Sequence, residues 1–312
     1  MTRSDKTPFI LLGALVVLLA LGPFMPKWLF LLTMSLGKGL VVLGLVVLLR
    51  TGLVSFGQGL YYCVGAYAVG SLSQFAHVRN ALLLLLAGTL VAAILATILG
   101  FLLANYRAIF FAMLTLALSM IVYGLLVKTS ALGSTDGFNV APASLLGKII
   151  SGQGNQYPMF ALACIVAFVA AVLTNSYLWT ALGQLSSAIR DNEIRVEYMG
   201  ASVRSAIHTK YVLAGALAGL GGAVTALTIG HIDPEMAYWT TSGEFVFVAI
   251  LGGTGSVIAP FLGAIIFEFI RTYAYQYSPN TWQLVLGTAM LLVIIFLPAG
   301  LWSAFARLRR RT

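Results

Sequence analysis

Apolar runs dominate this chain. They recur from one end to the other, separated by single charges or short polar gaps. A membrane-spanning helix needs about 20 such residues, and runs of close to that length fall at about 8–24, 29–49, 81–104, 108–127, 157–173, 211–229 and 282–297. Only 9% of the 312 residues are charged and 60% are hydrophobic, against about 25% charged in a soluble domain. Mean hydropathy is +0.97. Such a chain lacks the polar groups to cover a water-facing surface, which excludes an ordinary soluble enzyme, and it is too apolar for disorder. The expected class is an all-α polytopic membrane protein with eight to ten crossings.

Two segments differ from the plain spans. The stretch 52–75 reads GLVSFGQGLYYCVGAYAVGSLSQF, with glycines at 52, 57, 59, 65 and 70. The stretch 244–270 contains AILGGTGSVIAPFLGA. Counting 244–255 as one short crossing gives ten. The polar stretch 129–156 reads as an external loop between a first half, 8–128, and a second half, 157–302. The whole chain is then one permease-like domain with a charged segment at 183–210 and a basic tail at 303–312. Residues 1–24 resemble a signal peptide, but no small-residue cleavage site follows, so the run is expected to be a retained first span.

The net charge is +9. The basic residues form no dense face, which argues against nucleic-acid binding. With the N-terminus in the cytoplasm, inside loops hold Arg3, Lys6, Arg50, Arg107, Arg190, Arg195, Arg204, Lys210 and Arg307, Arg309, Arg310 and Arg311, and outside loops hold Lys27, Arg79, Lys128 and Lys148. That bias of about three to one favours both termini inside.

No catalytic or metal-binding motif is present. The chain lacks a P-loop, H-E-x-x-H and G-x-S-x-G. His77, His208 and His231 fall at span ends or in loops, and Cys63 and Cys164 read as buried thiols. Intramembrane charge is confined to Lys38 and the Glu268–Arg271 pair. Lys38, about ten residues from either end of its span, is a pathway cation or faces a polar seam or partner. Glu268 and Arg271, spaced i, i+3, read as a local ion pair. No ladder of Asp, Glu and His crosses the membrane, which argues against proton coupling.

Two features carry functional information. Glycine-broken segments in both halves point either to a transport path or to close helix packing. The segment 188–200, AIRDNEIRVEYMG, has charges of both signs at helical spacing and a glycine placed to end the helix. It is a solvated loop or a docking element for a soluble subunit.

Ordered strings then carry a resemblance. Gly52-Leu53-Val54-Ser55-Phe56-Gly57-Gln58 precedes Gly65-Ala66-Tyr67; Phe111-Ala112-Met113-Leu114-Thr115-Leu116-Ala117 opens a span; Gly133-Ser134-Thr135-Asp136-Gly137 lies in the external loop. Ala188–Glu193 reads AIRDNE, Ala218–Ala223 reads AGLGGA, Pro234 and Ser242 follow, Gly252–Ser256 reads GGTGS, and Leu297–Trp302 reads LPAGLW. In this order and spacing, over roughly 40–302, they resemble the inner-membrane permease subunits of bacterial ATP-binding-cassette importers for branched-chain amino acids, with urea and amide permeases as close relatives. The chain departs from that pattern at Gln184 and Ser187, where basic residues are usual, and at Ile207, Ala259, Val46 and Arg50.

The resemblance implies a vitamin-B12-importer-like, type II permease architecture in a bacterial inner membrane. It implies a second homologous permease, two cytoplasmic ATPase subunits that hold ATP and magnesium, and a periplasmic solute-binding protein, with no cofactor on this chain. It implies a translocation pathway at Ser55, Gly57, Gln58, Tyr67, Thr115, Gly252 and Gly253. It also implies ATPase coupling at Ala188, Arg190, Asn192, Glu193, Arg195, Glu197 and Gly200. The solute would be a small neutral or zwitterionic molecule, first of all leucine, isoleucine or valine. A self-sufficient facilitator or secondary carrier gated by Lys38 or Glu268 is the competing class.

Overall fold

A computed structural model describes residues 7–145, 147–150, 156–277, 279–296 and 300–302. The basic tail 303–312 and residues 297–299 of the LPAGLW string lie outside the described residues. The helices are α1 (Thr7–Leu21), α2 (Leu29–Leu49), α3 (Gln58–Gln74), α4 (Ala81–Leu103), α5 (Ala108–Lys128), α6 (Tyr157–Trp179), α7 (Ala181–Asp191), α8 (Glu193–Tyr198), α9 (Val203–Ile229), α10 (Trp239–Gly252), α11 (Ala259–Tyr277) and α12 (Trp282–Phe296). Among the described residues, six helical stretches are long and apolar enough to cross a bilayer: Thr7–Phe24, Pro26–Leu49, Ala81–Leu103, Ala108–Lys128, Tyr157–Trp179 and Val203–Ile229. The chain is a multi-pass membrane protein. The expected ten crossings would need α3, α10, α11 and α12 as well, and these are shorter or more polar.

Local signals set the helix ends. Asn80 caps α4, its Oδ1 accepting hydrogen bonds from the Leu82 and Leu83 amides at 3.0 and 3.5 Å. Ser202 caps α9 by accepting from the Ser205 amide, and Gly230 ends it with a left-handed φ of 74°.

The core centres on α2 and α9. Residues Leu40–Leu48 of α2 are buried on every side, as expected for a helix that is apolar all round and enclosed by others. The packing has an internal symmetry. The α9 helix packs on α2, α3 and α4, while α2 packs on α9, α10 and α11; α3 pairs with α4 as α10 pairs with α11. Exchanging α2–α3–α4 for α9–α10–α11 reproduces the pattern.

Close approach in the first repeat depends on Gly65, Gly88 and Gly219. A Cβ on Gly65 would run into the Gly219 backbone, and one on Gly88 would lie 2.9 Å from the Gly65 carbonyl oxygen. Small residues of this kind let membrane helices pack backbone to backbone. On the outside, α4 and α5 present Leu82, Leu86, Leu90, Ile94, Ile109, Phe110 and Met113, an apolar face suited to lipid.

The polar stretch after α5 is tied to the second half. Strand β1 (Phe138–Asn139) pairs antiparallel with β4 (His231–Ile232), and β2 (Ser144–Leu145) pairs with β3 (Lys148–Ile149). Nearby, Trp28 stacks on Phe269 at 4.9 Å and lies 6.2 Å from Tyr273. Aromatic clusters of this type mark a membrane–water interface.

Candidate functional site

After α2 the chain does not go straight into the next helix. The Gly52 and Leu53 amides still bond back to Leu49 and Leu48, and residues 54–57 then lie outside any helix before α3 starts at Gln58. Backbone N–H groups inside a bilayer need partners from the protein, because no water is at hand. Hydroxyls supply them. The Phe56 amide donates to Thr115 Oγ1 at 3.1 Å, the Gly57 amide to Ser55 Oγ at 3.2 Å, and the Gly59 amide to Ser242 Oγ at 3.0 Å. Ser55, Thr115 and Ser242 are all fully buried. Gly57 packs tightly on α5: a Cβ there would sit 3.1 Å from Thr115 Cβ.

The second half repeats the device. Between α9 and α10 lie β4 and a single 3-10 turn, Pro234–Ala237, which packs on α3 and α5. Ser119 Oγ donates to the Ala237 carbonyl at 2.7 Å. Thr115 and Ser119 are one helical turn apart on α5, so one face of α5 holds both irregular segments, one from each half. Both hydroxyls sit in the middle of the helix. The starts of α3 and α10 therefore meet at mid-depth, joined by the Gly59–Ser242 hydrogen bond.

Neither α3 nor α10 has a side-chain N-cap. Helix N-termini carry partial positive charge and unpaired N–H groups. Beside them sits Gln58, fully buried, with neither amide atom hydrogen-bonded among the described residues.

Ser55, Gly57, Gln58 and Thr115 thus come together. Tyr67 does not join them. It lies further along α3, edge-on against Phe138 of β1 at 5.7 Å, with its hydroxyl unpaired among the described residues. Gly252 and Gly253 lie at the far end of α10, about 15 Å from Ser242 at the helical rise. There the α10–α11 turn needs Gly253 at a φ of 87°, and Gly252 abuts Ala259 and Pro260. The residue that brings the second half to the site is Ser242, with Ser119 holding the preceding segment. Neither belongs to a glycine-rich string. Ser242 ends the polar gap 230–242 and is one of the residues that carry the resemblance, whereas Ser119 stands inside an apolar run with no other signal in the sequence.

Next to this junction lies a network of four charges. Lys38 Nζ is 2.5 Å from Glu268 Oε1 and 3.4 Å from Glu244 Oε2; Arg271 Nη1 is 3.0 Å from Glu244 Oε2 and 3.9 Å from Glu268 Oε1. Lys38 therefore has partners, which the sequence left open. The expected Glu268–Arg271 pair is the longest contact of the four, because Glu244 on α10 takes the guanidinium and Lys38 on α2 takes Glu268. Lys38 and Glu268 are buried, while Arg271 and Glu244 are partly open. Among the described residues no three His, Cys, Asp or Glu side chains gather as metal ligands would.

The charged segment forms two helices, α7 and α8, rather than one. Asn192 breaks the run and caps α8, its Oδ1 accepting from the Arg195 amide at 3.0 Å. The break takes Arg190 and Glu193 off a continuous helix, so the expected i, i+3 pair does not form. Glu193 instead receives both of its oxygen contacts from Arg107 Nε, at 2.8 Å each, at the start of α5. Arg190 lies against Gly52, its Cγ 3.4 Å from where a Cβ would be. Ile189 and Val196 face inward, while Ile194, Tyr198 and Met199 are 66%, 89% and 80% exposed. Ala188 precedes this surface on α7, Arg195 and Glu197 lie on it, and Gly200 closes it with a φ of 85°.

The family model described as branched-chain amino acid transport system / permease component matches residues 27–295. The chain belongs to this family of transport permeases. Among curated relatives, this permease is 29% identical over 322 residues to the high-affinity branched-chain amino acid transport system permease protein LivM of Escherichia coli (strain K12), covering 94% of this chain and 74% of the relative. It is 23% identical over 264 residues to LivH of Salmonella typhimurium, with 80% and 85% covered. A shorter match, 32% over 111 residues, joins it to the guanosine ABC transporter permease protein NupP of Bacillus subtilis, covering 34% of this chain and 31% of the relative. No solved structure matches. In this permease the strings at 52–58 and 111–117 lie at the junction of the broken helices, that at 188–193 in α7–α8, that at 218–223 on the glycine face of α9, that at 252–256 at the α10–α11 turn and that at 133–137 in the stretch after α5.

Proposed function

We propose that this permease carries branched-chain amino acids across a bacterial inner membrane as one subunit of an ATP-driven importer. The observation that carries the reading is the meeting of two broken helices, one from each half, at Gln58. Irregular backbone at membrane depth is tolerated where it lines a cavity or is enclosed by protein, and repeat-related broken helices mark transport sites. The LivM and LivH relatives bear the names of branched-chain amino acid permeases; their coverage of this chain supports the same solute class.

In this reading α1–α6 and α9–α12 make ten crossings, with both termini cytoplasmic, and the symmetric packing of the two halves is an inverted repeat. Ser55, Gly57, Gln58 and Thr115 line the path, with Tyr67 on its external side and Gly252 and Gly253 at its cytoplasmic side. A second, homologous permease completes the pathway. A periplasmic binding protein delivers the solute, and two ATPase subunits hold ATP and magnesium. The segment Ala188–Gly200 docks on an ATPase through exposed Ile194, Tyr198 and Met199. Its inner contacts, Arg190 on Gly52 and Glu193 on Arg107, touch the cytoplasmic ends of the two elements that hold the junction, which gives ATPase motion a route to Gln58.

The test is Arg190→Glu combined with Glu193→Lys in the complete importer. Uptake and ATPase co-purification are expected to be lost while membrane insertion stays intact. Uptake that persists undiminished in liposomes containing this chain alone, without ATPase subunits, overturns the proposal in favour of a self-sufficient carrier.

A further inference from the structure

We infer that the junction of α3 and α10 is a binding site for the solute's carboxylate, with Gln58 as its side-chain donor. The inference rests on the reading that this chain lines the pathway. Three observations on different residues lead to it.

First, two helices begin at the same place. The Gly59 amide of α3 donates to Ser242 in the first turn of α10, so the positive ends of two helix dipoles converge. Each end is equivalent to roughly half a positive charge, and a helix N-terminus takes anions through its free N–H groups. Second, nothing anionic caps either end. The residue preceding α3 is Gly57 and the one preceding α10 is Tyr238, and neither side chain caps its helix. Neither helix has an acidic residue in its first turn. Third, Gln58 has no exposed surface and both Nε2 and Oε1 lack partners among the described residues. Helical side chains lean toward the N-terminus, so the first residue of α3 directs its amide toward the junction. A buried amide with no partner is costly, and a carboxylate oxygen would satisfy its NH2.

Two of the hydroxyls around it have their O–H groups engaged. Thr115 donates to the Ala112 carbonyl at 2.9 Å and Ser119 to the Ala237 carbonyl at 2.7 Å. Ser55 and Ser242 accept from the Gly57 and Gly59 amides. All four hold backbone around the junction; the Ser55 and Ser242 O–H groups can still donate, and Gln58 is the side chain there with neither polar atom paired among the described residues. The Lys38–Glu268 pair is already neutralised internally, so the unmatched positive potential lies at the helix ends.

The test uses the permease pair in nanodiscs with isocaproate and isocaproamide, which share one branched tail and differ at the carboxylate. Saturation-transfer NMR is expected to show isocaproate bound and isocaproamide bound at least about tenfold more weakly, the size of one charge-assisted hydrogen bond. Gln58→Leu is expected to shrink the difference to what the helix ends alone supply, Gln58→Asn to keep more of it, and Gln58→Glu to abolish isocaproate binding. None of the three is expected to lower the thermal midpoint by more than a few degrees, since Gln58 makes no hydrogen bond that holds the fold. In the complete importer, Gln58→Leu should cut leucine uptake about tenfold while ATP hydrolysis in the presence of loaded binding protein continues. Equal binding of the two probes, or unchanged binding in Gln58→Leu and Gln58→Glu, overturns the inference. A wild-type importer that moves no leucine overturns the proposed solute, and the probe comparison still decides the carboxylate site.

Discussion

Replacing Lys38 by methionine tests the charge network directly. Methionine keeps the length of the side chain and removes its charge. Glu268 would be left buried, with a side-chain exposure of 10% and no cation within 3.5 Å. Breaking a buried pair from one side costs about 3–5 kcal/mol, because the surviving charge stays desolvated. Arg271 Nη1 lies 3.9 Å from the Glu268 carboxylate and can close part of that gap, so the low end, about 3 kcal/mol, applies. At roughly 2–4 °C per kcal/mol for a chain of this order of size, the thermal midpoint in nanodiscs should fall by about 6–12 °C. Adding Glu268→Gln removes the orphaned charge, and the double variant should return to within about 3 °C of wild type, since replacing both partners of a buried pair is often near neutral. The assay is unfolding followed by fluorescence-detected size exclusion on wild type, both single variants and the double variant. If the double variant is as unstable as Lys38→Met, the cost comes from lost packing of the lysine stem and the ion-pair argument fails.

Two further outcomes test the packing and the topology. Gly65→Ala should cost about 1–3 kcal/mol or more by overpacking and should deplete the folded peak in size exclusion, while Gly124→Ala, where nothing lies within 4 Å of the added carbon, should leave it unchanged. Cysteine placed at Tyr198 should react with a membrane-impermeant maleimide only from the cytoplasmic side, and at Thr135 only from outside; labelling of both from one face refutes the topology. The natural cysteines, Cys63 and Cys164, are buried and should give little background.

How much was legible depended on the range of the interaction. Most of the long helices follow from runs of apolar residues, because transfer into the bilayer is close to a sum over neighbours in sequence. The polar gap 129–156 and the helical character of 188–200 were readable from local composition and charge spacing. Ordered strings placed Ser55, Gly57, Gln58 and Thr115 as a group, and these do meet. The same strings gave no hint that Gly252 and Gly253 stand at the opposite end of α10. The Glu268–Arg271 spacing suggested a local pair, yet partners on other helices, Lys38 for Glu268 and Glu244 for Arg271, take the main contacts. Asn192 looked like one residue of a continuous helix, and its side chain instead caps a new one.

The sequence by itself determined that this protein lives in a membrane, where its apolar helices run, and which family it resembles. Each of those rests on local hydropathy or on the order of short strings. Only the tertiary structure decided which hydroxyl holds which irregular backbone, which carboxylate neutralises Lys38, and that the starts of α3 and α10 coincide. Those facts depend on satisfying buried N–H groups and charges across helices far apart in the chain. In a bilayer water cannot stand in for a missing partner, so packing alone determines where such groups are met.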